Sequence, residues 1–230
     1  MNNINATQES VVIDFGTIYN VDALNIVRDI PDNYFDLTLT DPPYGIGKLT
    51  GTISKERNRN DYDTFSDTEE YYKTIVCPII VESIRASKRT ILTPGIRNFN
   101  YLPQPDDFGV FYQPATAGIS RWGRPDAQPI FYYGKGVHRN ITQFNSRQLT
   151  EPASYKDGHP CSKPIQAWKW LLNKGSIEGD RVFDPFMGSG TTAVACIQLN
   201  RLWAGAEISQ KYCDVAIKRI LIEQNQLKLF

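Results

Sequence analysis

The sequence predicts an α/β protein: a doubly wound, mostly parallel sheet of seven strands with helices on both faces. Three observations point there. Short β-rich runs alternate with helical patterns along the chain, the signature of a parallel sheet wrapped in helices. Two of those runs, "FDLTLT" and "DRVFD", break off at Asp-Pro, as strands do when they deliver a loop to a cleft. No internal repeat or low-complexity tract interrupts the pattern, and 230 residues with 41% hydrophobic content can bury one large core, so residues 1–230 read as a single domain.

In chain order, "TIYNV" is a strand and Ala23 to Val27 a short helical pattern; "FDLTLT" is the next strand. Residues 69–87 place Tyr72, Ile75, Val76, Ile79, Ile80 and Ile84 on one helical face, with Pro78 expected to kink it. "RTILTPG" is a strand closed by Pro94-Gly95. "FGVFYQPA" and "PIFYYG" suit an antiparallel pair at a sheet edge. "PIQAWKWLLN" is a helix opened by proline. Then follow the strand "DRVFD", a small-residue helix "GTTAVACIQLN", the strand "RLWAGAEI" and a final amphipathic helix from "YCDVAIKRIL". Trp168 and Trp170 lie in the proline-opened helix, and core packing is expected of at least one.

Bulk properties exclude several classes. Formal net charge is zero, so any polyanion must be held by a local patch and not by a global field. Cys77, Cys161, Cys196 and Cys213 form no C-x-x-C pair and only two histidines accompany them, so neither a metal site nor a disulfide scaffold is expected. The polar start "MNNINATQES" lacks an apolar signal region, and no stretch is long enough to span a bilayer, which suits a reducing cytoplasm. The irregular stretches can supply the patch. Residues 45–68, expected as a mobile loop, carry Lys48, Lys55, Arg57 and Arg59. Residues 134–158 carry Lys135, Arg139 and Arg147, with Arg121 and Arg124 just upstream.

"FDPFMGSGTT" follows a strand and opens a helix, with Gly188 and Gly190 free of side chains where a ligand would approach. It lacks the lysine of a phosphate-binding P-loop. Asp184 would repel a pyrophosphate, while Glu207, at the end of the next strand, suits ribose hydroxyls. An adenosine ligand carrying an amine instead of phosphates fits that spacing. A ligand-free turn is the bland alternative for this loop, as it is for Asp41-Pro42-Pro43-Tyr44. The bland reading explains neither the aromatic residue nor the partner loop.

Together, "DPPY" and "DPFMGSGTT" resemble the paired signature of S-adenosylmethionine-dependent DNA amino-methyltransferases, and their order resembles the circularly permuted β group. The likeness covers about residues 17–47 and 159–220. It implies a Rossmann-like methyltransferase fold, S-adenosylmethionine as cofactor, double-stranded DNA as partner, and a bacterial or phage-infected cytoplasm. It also implies roles. Asp41 and the Pro42 carbonyl would accept hydrogens from a flipped base's exocyclic amine, Pro43 would aim that carbonyl, and the Tyr44 ring would stack on the base. Asp184, Pro185, Phe186, Gly188, Ser189, Gly190, Thr191 and Thr192 would form the cofactor loop. "HPCSKP", with His159, Ser162 and Lys163, resembles the segment closing over the cofactor's methionine end, and Asp22 stands where the family contacts adenine. Most members have Gly-Asp where this chain has Val21-Asp22. The acid opening DPPY leans toward adenine N6, since the N4-cytosine enzymes more often begin the motif with serine. N4-cytosine methylation, methylation of RNA or another amine, and a non-catalytic nucleic-acid-binding subunit are the alternatives. The 134–158 stretch is short for reading a duplex unaided; a homodimer or a separate specificity subunit would compensate.

Overall fold

The computed structural model describes residues 13–45, 68–95, 98–112, 127–137, 146–148 and 163–227. Eight strands, β1 (Thr17–Tyr19), β2 (Leu37–Thr40), β3 (Thr90–Leu92), β4 (Asp107–Tyr112), β5 (Ala127–Tyr133), β6 (Arg147–Gln148), β7 (Arg181–Asp184) and β8 (Leu202–Ala206), form one sheet in the order β1-β8-β7-β2-β3-β5-β4-β6. Seven of these are the expected strands; the two-residue β6 extends the edge. The run from β1 to β3 is parallel throughout, and β5 and β4 are the antiparallel pair.

This order places the site. From β7 the chain passes through helix α5 (Thr191–Gln198) to β8 on one side; from β2 it passes through helix α3 (Cys77–Arg85) to β3 on the other. The neighbours β2 and β7 are therefore the point where the winding reverses, and the crevice outside their carboxyl ends is where such sheets bind ligands. Asp41 leaves β2 and Asp184 ends β7 at that crevice, although Thr38 and Phe183, which pair across the two strands, are far apart in sequence.

The strands are apolar on both faces because helices cover both. Successive residues point to opposite sides. Val182 packs with Leu37, Leu39, Trp168, Leu171 and Ala193 under α5 and helix α4 (Ile165–Gly175). Phe183 faces the other way, onto Phe35, Ile79 and Val27 of α3 and helix α1 (Leu24–Val27). Phe183 and Phe35 stack at 4.7 Å with no exposed surface. Burial of each contributes about 2 kcal/mol, before any gain from the ring pair. Helix α6 (Gln210–Leu227) closes the α5 side.

The expected kink at Pro78 is instead a π-turn. The helix begins as α2 (Glu69–Tyr71), widens over Tyr72–Val76 and resumes as α3, with the Cys77 N–H reaching back to the Tyr72 carbonyl. Proline has no N–H to give the residue four back, and its ring crowds that carbonyl; one widened turn relieves both. Tyr72 and Val76 stay buried.

Candidate active site

All of β2 is buried, so the chain emerges from the core directly into Asp41, which is half-buried. Two hydroxyl donors and one ammonium, from three places, converge on one of its oxygens. The Tyr44 hydroxyl donates to Asp41 Oδ1 at 2.5 Å, the Thr93 hydroxyl donates to the same atom, and the Lys163 ammonium lies 3.0 Å from it. Among the described residues nothing donates to Oδ2. Tyr44 is a hub as well as a ring. Its oxygen accepts from the Gln128 side-chain amide and from Lys163 at 3.1 Å, while Lys163 donates to Gln128 Oε1 at 3.2 Å. Burial, then the Asp41 charge, pushes the Tyr44 phenol well above its ordinary range. Burial alone would lower the Lys163 ammonium, but Asp41 and Tyr44 outweigh it, so this lysine is held charged.

The loop after Asp41 is pinned from two sides. The Asn98 amide donates to the carbonyls of Tyr44 at 2.9 Å and Pro94 at 2.8 Å. Gly95 has φ +74°, and a Cβ there would stand 2.9 Å from the Tyr44 ring, so only glycine lets the backbone lie against that ring. Pro42 is buried and Pro43 half-buried.

Across the switch point Asp184 is fully enclosed. Its Oδ1 accepts the Thr40 hydroxyl at 2.7 Å and the Phe186 N–H at 3.0 Å; its Oδ2 accepts the Thr192 hydroxyl at 2.5 Å. Burial dominates these donors and the carboxyl is pushed up to about 6. Trp168 Nε1 donates to Thr192 at 2.9 Å, so the buried tryptophan both packs and orients this contact. Thr40 immediately precedes Asp41, so its hydroxyl ties the "DPPY" strand to the glycine loop.

That loop runs through Pro185, Phe186 and Gly188 (φ +53°) to Ser189 and Gly190, which caps α5 at φ +81°; Thr191 and Thr192 open the helix. A Cβ on Gly190 would meet Ala216 of α6 at 3.0 Å. Glu207, just past β8, accepts the Gly188 N–H on Oε2 and the Ser209 N–H on Oε1, each at 2.8 Å, and burial raises its carboxyl. Asp22 lies past the end of the neighbouring β1 and accepts the Leu24 N–H at 2.9 Å. Asn20 joins the two strand ends by donating to the Glu207 and Ile208 carbonyls.

The structure therefore brings Asp41, Tyr44, Asp184, the glycine loop, Glu207 and Asp22 to one end of the sheet. It moves Lys163: expected on the cofactor's side, this lysine instead faces Asp41, Tyr44 and Gln128. Lys135, expected in a basic patch for DNA, lies at the opposite end of the sheet from the cleft. Strand β5 runs antiparallel to β3, pairing Tyr133 with Thr90, so the residues after β5 lie at the amino end of β3, where the Lys135 carbonyl accepts from Arg89. The backbone of Arg147 pairs with Phe111 toward the cleft end of the outer edge. His159, Ser162, Lys48, Lys55, Arg57, Arg59, Arg121, Arg124 and Arg139 lie outside the described residues. Thr93, Gln128 and Asn98 carried no motif in the sequence. Nor did Arg219, whose guanidinium donates to the Ser189 carbonyl and hydroxyl, each at 2.7 Å, bracing the glycine loop from α6. Among the described residues no group of His, Cys, Asp and Glu gathers to hold a metal, and no helix is long and apolar enough to cross a membrane.

Comparison with known proteins agrees with this geometry. The family model for N6/N4-type DNA methylases matches residues 119–218. The type II methyltransferase M.HpaI of Haemophilus parainfluenzae is 26% identical over 88% of this chain and 73% of its own length. M.SmaI of Serratia marcescens is 28% identical over 87% and 89%. Among solved structures, the M1.HpyAVI–SAM complex superposes with a TM-score of 0.65 at 21% identity, covering 88% of this chain and 98% of that one. The cytosine-N4-specific PvuII DNA methyltransferase also reaches 0.65, at 15% identity, over 93% and 92%. Residues 119–218 thus match the N6/N4-type DNA methylases, and over most of its length the chain is similar to type II DNA methyltransferases and shares its fold with a methyltransferase solved with SAM.

Proposed function

We propose that the protein methylates the exocyclic N6 amine of adenine within a specific sequence of double-stranded DNA, with Asp41 and the Pro42 carbonyl as the acceptors that prepare that amine. The observation that carries this reading is the state of Asp41: Oδ1 is held by two hydroxyl donors and an ammonium, while no described residue donates to Oδ2, at the crevice shared with the glycine loop. An exocyclic amine is a weak nucleophile because its lone pair is delocalised into the ring. Two acceptors on its hydrogens favour a pyramidal nitrogen whose lone pair points out of the ring plane.

The glycine loop suits the cofactor. Gly188 presents backbone without a side chain at positive φ, Gly190 lets the start of α5 pack on Ala216, and Glu207 is fixed by two backbone N–H donors with lone pairs to spare for a ribose diol. When bound, S-adenosylmethionine supplies an electrophilic methyl on a sulfonium sulfur. The target amine would take that methyl with its freed lone pair, and the proton it then loses would leave through Asp41, already its hydrogen-bond acceptor. Asp41 contributes charge complementarity to the nitrogen as it turns positive. The Tyr44 ring gives the flipped base a face to stack on, worth roughly 1–3 kcal/mol.

The aspartate opening "DPPY" supports adenine. The fold shared with a cytosine-N4-specific enzyme supports N4-cytosine as the second reading, with the same residues in the same roles. The basic residues of 45–68 and 134–158 other than Lys135, with Arg121 and Arg124, would hold the duplex, and a second copy or a specificity subunit would complete the readout. Nucleoside mass spectrometry decides. Unmethylated duplex DNA incubated with the protein and S-adenosylmethionine should yield N6-methyladenine; N4-methylcytosine alone would overturn the adenine assignment. Asp41→Ala should abolish transfer while leaving cofactor affinity nearly intact.

A further inference from the structure

The contacts of Lys163 are out of keeping with a cofactor ligand. An ammonium has three N–H donors. Among the described residues its close polar contacts all lie on the catalytic side: an ion pair with Asp41 Oδ1 (3.0 Å) and hydrogen bonds to Tyr44 Oη (3.1 Å) and Gln128 Oε1 (3.2 Å). Gln128 is in turn fixed at both ends of its amide, accepting from Lys163 and donating to Tyr44.

We propose that Lys163, with Gln128 as its brace, is a positioning residue for Asp41: it locks Oδ1 so that Oδ2 alone is presented to the target amine. The need for a lock is physical. The carboxylate torsion of an aspartate is broad and nearly two-fold, so an isolated Asp41 could swing either oxygen, at any tilt, toward the base. Here two hydroxyl donors and one ammonium take one oxygen, and they arrive from the Asp41 loop itself, from the residue after β3 and from two residues ahead of α4. Three anchors of different origin fix the plane of the carboxylate, which one hydrogen bond would not. Lys163 is the charged member of the set, and it is linked to the far strand β5 through Gln128. The chain of contacts Asp41–Lys163–Gln128 therefore registers the catalytic loop against the antiparallel part of the sheet, on the side where Arg147 lies.

The inference rests on the proposed methyl transfer, and the test separates the two. Cofactor affinity would be measured by calorimetry, and transfer by single-turnover labelling of unmethylated duplex DNA at saturating S-adenosylmethionine. Lys163→Met keeps length and bulk without charge. It should leave the cofactor Kd within about threefold yet cut transfer by about 100-fold, the cost of a misaimed reacting group. Lys163→Arg, which keeps charge and donors, should regain part of that loss, about tenfold. Gln128→Leu should lower transfer less than Lys163→Met, again at constant Kd, and it carries the test should Lys163→Met fail to fold. Weakened cofactor binding in Lys163→Met with normal transfer at saturation overturns the inference and makes Lys163 a cofactor ligand. Unchanged transfer in both variants overturns it too. A wild-type protein that binds S-adenosylmethionine but transfers nothing overturns the functional reading and this inference together.

Discussion

Asp184 makes the fold's stability depend on pH in an unusual direction. Its carboxyl is buried and pushed up to about 6 from an ordinary value of 3.8. A raised acid binds its proton more tightly in the folded state than in the unfolded one, so folding is favoured at low pH and penalised as the group ionises. The penalty develops between about pH 4 and pH 6. The shift of about 2.2 units, at 1.36 kcal/mol per unit, amounts to about 3 kcal/mol at neutral pH. The perturbation is Asp184→Asn, which has the same shape and does not titrate. Urea unfolding of both proteins, followed by circular dichroism from pH 4 to pH 7.5, gives the stability difference at each pH. The variant's stability relative to wild type should rise by about 3 kcal/mol between pH 4 and pH 7 and be flat above that. Any fixed offset from altered hydrogen bonding cancels in this comparison. A difference that is flat, or that grows toward low pH, would falsify the claim that burial outweighs the Thr40, Thr192 and Phe186 donors.

Other expectations follow from single contacts. Tyr44→Phe keeps the stacking ring but cuts the hydroxyl that joins Asp41, Gln128 and Lys163. Transfer should fall by about tenfold or more at unchanged cofactor affinity, measured by single turnover, although the sequence alone assigns the work to the ring. Arg219→Met removes the brace on Ser189 and should raise the S-adenosylmethionine Kd by about tenfold, roughly 1.4 kcal/mol, by calorimetry. Gly205→Ala would set a methyl 2.0 Å from the Met187 terminal carbon and 3.0 Å from the Asp184 carbonyl; a loss of about 1–3 kcal/mol in urea unfolding is expected, and a neutral result would show that the loop can yield.

What could be read in advance was what repeats or what is crowded into a motif. Alternating apolar runs announced seven strands, and the two Asp-Pro breaks announced which strand ends mattered; both follow from periods the chain must obey. Thr93 and Gln128 gave no such signal. A threonine after one strand and a glutamine inside another are ordinary until register brings them beside Asp41. The contacts of Lys163 with Asp41, Tyr44 and Gln128 give no signal in its sequence neighbours, because they are set by where α4 begins relative to β5. Lys135 belongs to a basic stretch by sequence, but nearness to such a stretch says nothing about which end of an antiparallel strand a residue occupies. Arg219 is one of several cations on an amphipathic helix, and only the packing of α6 on Gly190 singles it out.

The central position of β7 between β8 and β2 has a consequence for how the enzyme comes into being. Synthesis runs from β1 onward, so the ribosome releases β2 and β3, with Asp41 already in place, long before the strand that fills the middle of the sheet exists. Until residues 181–206 have emerged, β1 has no neighbour and β2 lacks one. The Thr40 hydroxyl must then find an aspartate 144 positions away. Pairings across such separations close slowly. The proposed cofactor loop and the Asp41 cluster therefore depend on the same late-made strand, and a truncated chain that lacks β7 has "DPPY" without the loop that faces it.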